Sequence, residues 1–136
     1  MGEDRKAGIS DYEKGVAIQG DFAPLRRDLG LLQVQQGDFS EAAKNLSKAA
    51  ALGSDDATLY NALGISYSRT GQLREAVESY KHALRLTPDL AQAHLNLGYS
   101  YERLSQKRLA AQEYSKACQL KSELCPMIKQ HSGEAP

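Results

Sequence analysis

Tyr60-Asn61-Ala62-Leu63-Gly64-Ile65-Ser66-Tyr67, followed through Gly71, Ala76, Tyr80 and Ala83 to Pro88, sets the fold of this chain. The stretch reads as two short amphipathic helices joined by a turn at Gly71. Large residues (Tyr60, Leu63, Tyr67, Tyr80) alternate with small ones (Gly64, Ala76, Ala83). That alternation suits two helices in close contact, with a bulky side chain on one opposite a gap on the other.

The same unit recurs on both sides. Glycine stands at 30, 64 and 98, and alanine at 42, 76 and 110 and again at 49, 83 and 117, a spacing of 34 each time. Leu29, Leu63 and Leu97 precede the glycines; Leu46, Tyr80 and Tyr114 follow the first alanine; Leu52, Leu86 and Leu120 close each unit. Independent columns in one register mark a repeat array, whose units bury their apolar faces by stacking.

These columns resemble the tetratricopeptide repeat, a 34-residue helix–turn–helix unit with the pattern W-x2-L-G-x2-Y, A-x3-F and P. The middle unit (Tyr60, Leu63, Gly64, Tyr67, Ala76, Tyr80, Pro88) is similar at every position, with tyrosine for tryptophan and for phenylalanine. The third unit has His94, Leu97, Gly98, Tyr101, Ala110 and Tyr114, but Ser122 in place of proline. The first keeps Leu29, Gly30, Ala42 and Ala49, with Arg26, Gln33, Leu46 and Ser54 at the other signature positions. The resemblance implies an all-α fold, a right-handed α-solenoid of three full repeats at 23–56, 57–90 and 91–124. Upstream, Tyr12, Gly15 and Ile18 fall in the columns of Leu46, Ala49 and Leu52, so 8–22 reads as a half repeat, its second helix only. It is expected to be the remnant of a longer array, the alternative being an N-terminal capping helix. Residues 1–7 are read as disordered or expression-derived and 125–136 as a C-terminal tail, disordered from 129.

Local signals place the helices. Pro24 suits the first turn of a helix over 24–36 that ends at Gly37. Asp38-x2-Glu41 reads as a capping box for 39–52, and Asp55 or Asp56 caps 57–69. Helix 73–86 follows Gly71, and Pro88-Asp89 separates it from 90–104. The turn at Leu104–Lys107 lacks a glycine. With no proline at 122, the last helix is expected to run from 107 to 124 and stop at Pro126. On such a helix Cys118 and Cys125 stand roughly 10 Å apart, too far to bridge. Its end face (Ala111, Cys118, Leu124, Cys125) then needs cover, from Met127 and Ile128 or from another chain.

Composition narrows the function. The 136 residues are 41% hydrophobic with a formal net charge of zero, which argues against a general nucleic-acid or membrane-surface binder. No apolar run approaches the roughly 20 residues that span a bilayer. Met1–Lys6 is charged and leads into no signal-peptide core. A soluble protein follows, with the cytoplasm slightly favoured. His82, His94 and His131 are dispersed, and His94 occupies the aromatic packing column. The spacing of Cys118, Cys125 and His131 does not fit a zinc site. Asn45-Leu46-Ser47 matches a glycosylation sequon but lies inside an expected helix. The reading is a non-enzymatic protein with no cofactor and no metal.

Function therefore rests on the resemblance. In the family, first helices line a concave groove and second helices form the convex side. The corresponding groove positions are Arg27 and Leu31; Asn61, Ile65 and Arg69; and Asn96, Tyr99 and Arg103, with Ser68, Gln92 and Leu95 among their neighbours. Leu31, Ile65 and Tyr99 would form an apolar floor, the amides would bond a peptide backbone, and the arginines would favour acidic partner residues. Chaperone carboxylate clamps use positions held here by Arg27, Leu31, Ala62, Gln92 and Asn96; only Arg27 keeps the charge, so that specificity is not expected. The expected function is a protein-interaction module or scaffold that binds a peptide or partner segment. The competing readings are a scaffold that self-associates into homo-oligomers through uncapped end helices, and a substrate-presenting segment of a larger enzyme or signalling protein.

Overall fold

Three αL turns, one per repeat, fold the helices into antiparallel pairs. In the first, Gly37 has φ 81°, and the Asp38 amide donates to the Gln33 carbonyl at 2.9 Å. In the second, Gly71 has φ 83° and the Gln72 amide donates to Tyr67 at 2.8 Å. In the third, Ser105 takes the same conformation, φ 62°, and the Gln106 amide donates to Tyr101 at 2.8 Å. The hydrogen bonds of the turn impose the left-handed conformation on a serine that pays a steric penalty for it.

The structure is a computed structural model that describes residues 8–14 and 22–132, the last four by backbone alone. Among the described residues every regular element is helical: α1 (8–14), α2 (Ala23–Gln36), α3 (Phe39–Ala51), α4 (Ala57–Arg69), α5 (Leu73–Leu86), α6 (Ala91–Arg103), α7 (Lys107–Leu120), a single 3-10 turn (Ser122–Leu124) and α8 (Cys125–Ser132). Residues 1–7 and Gly15, Val16, Ala17 and Ile18 of the expected half repeat lie outside the described residues. Each first helix packs on its own second helix, each second helix on the next first helix, and successive first helices lie side by side. The result is an α-solenoid.

Close approach within each pair depends on the glycine column. A Cβ on Gly30 would stand 2.6 Å from Leu46 Cγ, and one on Gly64 2.5 Å from Tyr80 Cε1; Gly98 faces the ring of Tyr114 in the same way. Leu46, Tyr80 and Tyr114 are buried in the space those glycines vacate. Ala42, Ala76, Ala110, Ala49, Ala83 and Ala117 are buried around them, so the large–small pattern is the packing pattern.

Capping differs from the sequence reading at one helix and agrees at another. Asp56 is extended (φ −137°, ψ 152°) and accepts the Leu59 amide at 2.9 Å. Asp38 sits at φ −89°, ψ 70° and makes no side-chain cap; Glu41 bonds Lys44 instead, so the expected capping box does not form. An Ncap side chain reaches the N3 amide from the extended region, which Asp38 does not occupy.

The C-terminal end corrects three expectations. The last helix does not run through 124: α7 ends at Leu120, Lys121 is extended (φ −146°, ψ 100°), and a new helix begins at Cys125. Helix starts at Ala23, Ala57, Ala91 and Cys125 are 34 residues apart, so α8 begins where the first helix of a fourth repeat begins. Residues 125–132, read as a tail, are helical, and Pro126 lies in the first turn rather than stopping a helix. The corner at Lys121 brings the Cα atoms of Cys118 and Cys125 to 4.8 Å, and the two are disulfide-bonded. Ile128 covers the end of the array against Leu95, Tyr114 and Ala117, while Met127 is 50% exposed.

Candidate peptide-binding groove

The first helices α4 and α6 frame a concavity of about 330 Å3 lined by Ile65, Ser68, Arg69, Tyr80, Gln92, Asn96 and Tyr99. Four sequence-derived groove residues, Ile65, Arg69, Asn96 and Tyr99, thus meet in one cavity. They lie one repeat apart on helices that run side by side, which is why a period of 34 residues places them on facing walls. Tyr80 joins them from a second helix. Its ring passes beneath Gly64, where no side chain blocks it, and reaches the concave side. That contribution was readable only as the gap at Gly64, not as a groove position.

Polar groups tie the walls together. Asn96 Nδ2 donates to Asn61 Oδ1 at 3.4 Å, joining the amides of consecutive repeats. Arg103 Nη1 donates to the Ser68 carbonyl at 3.1 Å and to its hydroxyl at 3.2 Å. The Arg69 guanidinium lies 5.4 Å from the centre of the Phe39 ring, a distance at which the ring face attracts a cation. Burial pushes the Tyr80 phenol well above its ordinary range, and the fields of Arg69 and Arg103 partly oppose that rise. Both cations therefore act on the cavity floor. Burial, with the charge of Glu102, likewise raises the Tyr99 phenol. Tyr99 and Tyr114 meet edge to face at 5.6 Å between ring centres.

The first repeat is arranged differently. Arg27 Nε donates to Asp56 Oδ2 at 2.8 Å and Nη2 to Oδ1 at 3.1 Å, a fork that links α2 to the cap of α4. That hydrogen bond holds the Asp56 carboxyl below the usual carboxylate range and raises the guanidinium of Arg27. Leu31 is half-buried against the cluster of Ala42, Leu46 and Leu63. Leu95 is buried at 1% exposure.

Two polar residues outside the groove, His94 and Asn45, have structural partners. His94 lies between the Pro88 carbonyl (Nε2, 2.9 Å) and Glu113 (Nδ1, 3.4 Å), joining the junction before α6 to α7. Asn45, the sequon asparagine, is buried in α3, donates to Gln33 Oε1 at 2.7 Å and accepts from Arg26. Among the described residues no group of three or more His, Cys, Asp or Glu side chains is placed to hold a metal ion, and no helix is long and apolar enough to cross a membrane.

Family models described as TPR repeat match residues 30–71 and 66–105, and one described as tetratricopeptide repeat matches 91–124. The chain is a tetratricopeptide-repeat protein. Solved structures named MamA are similar to it. MamA MSR-1 C2 aligns with TM-score 0.81 and 28% identity over 88% of this chain and 69% of that one. A second MamA aligns with TM-score 0.87 and 20% identity over 96% and 80% of the two chains. MamA 41-end from Desulfovibrio magneticus RS-1 aligns with TM-score 0.82 and 21% identity over 89% and 68%. The latter two likenesses speak to the fold alone. No curated protein matches the sequence. Membership in this family makes the chain a protein-interaction scaffold, of a kind that is generally non-catalytic.

Proposed function

We propose that this scaffold binds an extended segment of a partner protein in its concave groove, centred on the cavity between α4 and α6. The observation that carries the reading is the convergence of Ile65, Tyr99 and Tyr80 with Ser68, Gln92 and Asn96 in that one concavity. An apolar floor ringed by a few polar groups is the composition of a recognition site. The Asn61–Asn96 bond uses one donor and one acceptor of the pair, leaving the Asn61 amide hydrogens and the Asn96 carbonyl to bond a peptide backbone. Arg69 and Arg103 at the rim favour an acidic residue beside the segment's apolar anchor.

The test is a peptide selected from a random library on the wild-type chain. Ile65→Glu/Tyr99→Glu should weaken its binding at least about tenfold, since a carboxylate buried without a partner costs more than 1.4 kcal/mol. Arg74→Glu/Lys81→Glu, exposed on second helix α5, should leave binding intact. Circular dichroism checks that both variants fold. Binding that survives the first pair and is lost with the second would overturn the proposal.

A further inference from the structure

We propose that the Cys118–Cys125 disulfide is a redox latch that holds α8 on the end of the array, and that its reduction undocks this helix. The bond joins the last turn of α7 to the first residue of α8 across the corner at Lys121. α8 has 8 residues. Isolated helices shorter than about 12–15 residues are marginal in water, so α8 depends on what fastens it. Ile128 is its buried apolar anchor, helped by Leu124 in the preceding turn; Pro126 and Met127 face outward. Among the described side chains of α8, one apolar anchor and one covalent link therefore carry the docking.

Both cysteines are half-buried, so a small reagent reaches the bond. One thiolate of a dithiol reductant attacks one sulfur, forms a mixed disulfide and expels the other cysteine as a thiolate. The reductant's second thiol then closes its own disulfide and releases the first cysteine. Two electrons pass from the dithiol to the protein disulfide, and two protons end on the cysteine thiols. With the link gone, loop-closure entropy again opposes docking, and α8 opens more often than the rest of the array. Opening bares the side of α6 and α7, around Leu95, Tyr114 and Ala117, on which α8 sits in register as the start of a next repeat. Redox state thereby sets whether this end of the solenoid is closed.

Hydrogen exchange of the full chain, with and without dithiothreitol, tests the latch alongside Cys118→Ser/Cys125→Ser. In the oxidised protein both cysteines should resist alkylation. On reduction, protection over residues 125–132 should fall at least about tenfold while α4 and α5 keep theirs. The double variant should show the low protection with or without the dithiol. Unchanged protection in α8 would overturn the proposal. So would free thiols in the air-oxidised protein, or an equal loss along the whole array, which would make the bond a general stabiliser.

Discussion

Gly64→Ala sets two effects against each other. Alanine is favoured over glycine inside a helix by about 1 kcal/mol, so propensity alone predicts a more stable protein. Packing predicts the reverse. The new methyl carbon would stand 2.5 Å from Tyr80 Cε1, 2.6 Å from Cδ1 and 2.9 Å from Cζ. Tyr80 is 2% exposed and wedged against Ala76, Val77 and Leu97, so its ring can yield only toward the groove it lines, at the expense of those contacts. Overpacking of this kind costs about 1–3 kcal/mol, and the ring contacts favour the upper half of that range. The net expectation is a loss of about 1–2 kcal/mol, read as a melting temperature lower by several degrees. A double-mutant cycle isolates the contact. Tyr80→Ala alone should cost about 3–5 kcal/mol through the cavity it leaves, but once the ring is gone the added methyl at 64 should cost nothing. Coupling between the two sites should therefore exceed about 1 kcal/mol in urea unfolding. A Gly64→Ala protein that melts higher than wild type, or a cycle that is additive, would refute this account of how the helices pair.

Other perturbations are simpler. Ser105→Gly should stabilise the protein by about 1 kcal/mol, because Ser105 holds φ 62° where the other two turns use glycine; circular-dichroism melting checks it. Asp56→Ala should cost about 1–2 kcal/mol at neutral pH by removing the cap on the Leu59 amide and the fork from Arg27. Because the folded carboxyl lies below its ordinary range, its stabilising contribution is present above about pH 4 and is lost as pH falls through the depressed folded value. The gap between wild type and Asp56→Ala in urea titrations should accordingly narrow in acid; a gap that widens there would contradict the assignment. Asp56→Asn keeps a capping oxygen and should fall between the two.

Much of the fold was legible because the same columns that repeat in the sequence are the ones that touch. Glycine, alanine and tyrosine at fixed offsets announce helix pairs in close contact, and the turn residues place helix ends within a residue or two through α6. The sequence misled where one local signal was read alone. The absence of proline at 122 suggested a continuous last helix, yet adding 34 to Ala91 marks 125 as a helix start, and that break is what brings the two cysteines together. Asp38 had the residue type of a cap but not the backbone for one. At the groove, column position brought Ile65, Arg69, Asn96 and Tyr99 to one cavity. It did not reveal that Arg27 is spent on Asp56, because that partner lies on the next repeat's cap. Nor did it reveal Tyr80, which enters from a second helix through the space at Gly64.

The central claim is that the concave side between α4 and α6 is where a partner segment sits. Titrating a library-selected peptide into isotope-labelled protein, and following backbone and side-chain NMR shifts, reads the contact surface directly. The account predicts the largest shifts at Asn61, Ile65, Arg69, Asn96, Tyr99 and Arg103. Shifts concentrated instead on Arg74, Lys81, Tyr101 and Leu109, which line a separate cleft between α5 and α7, would contradict it.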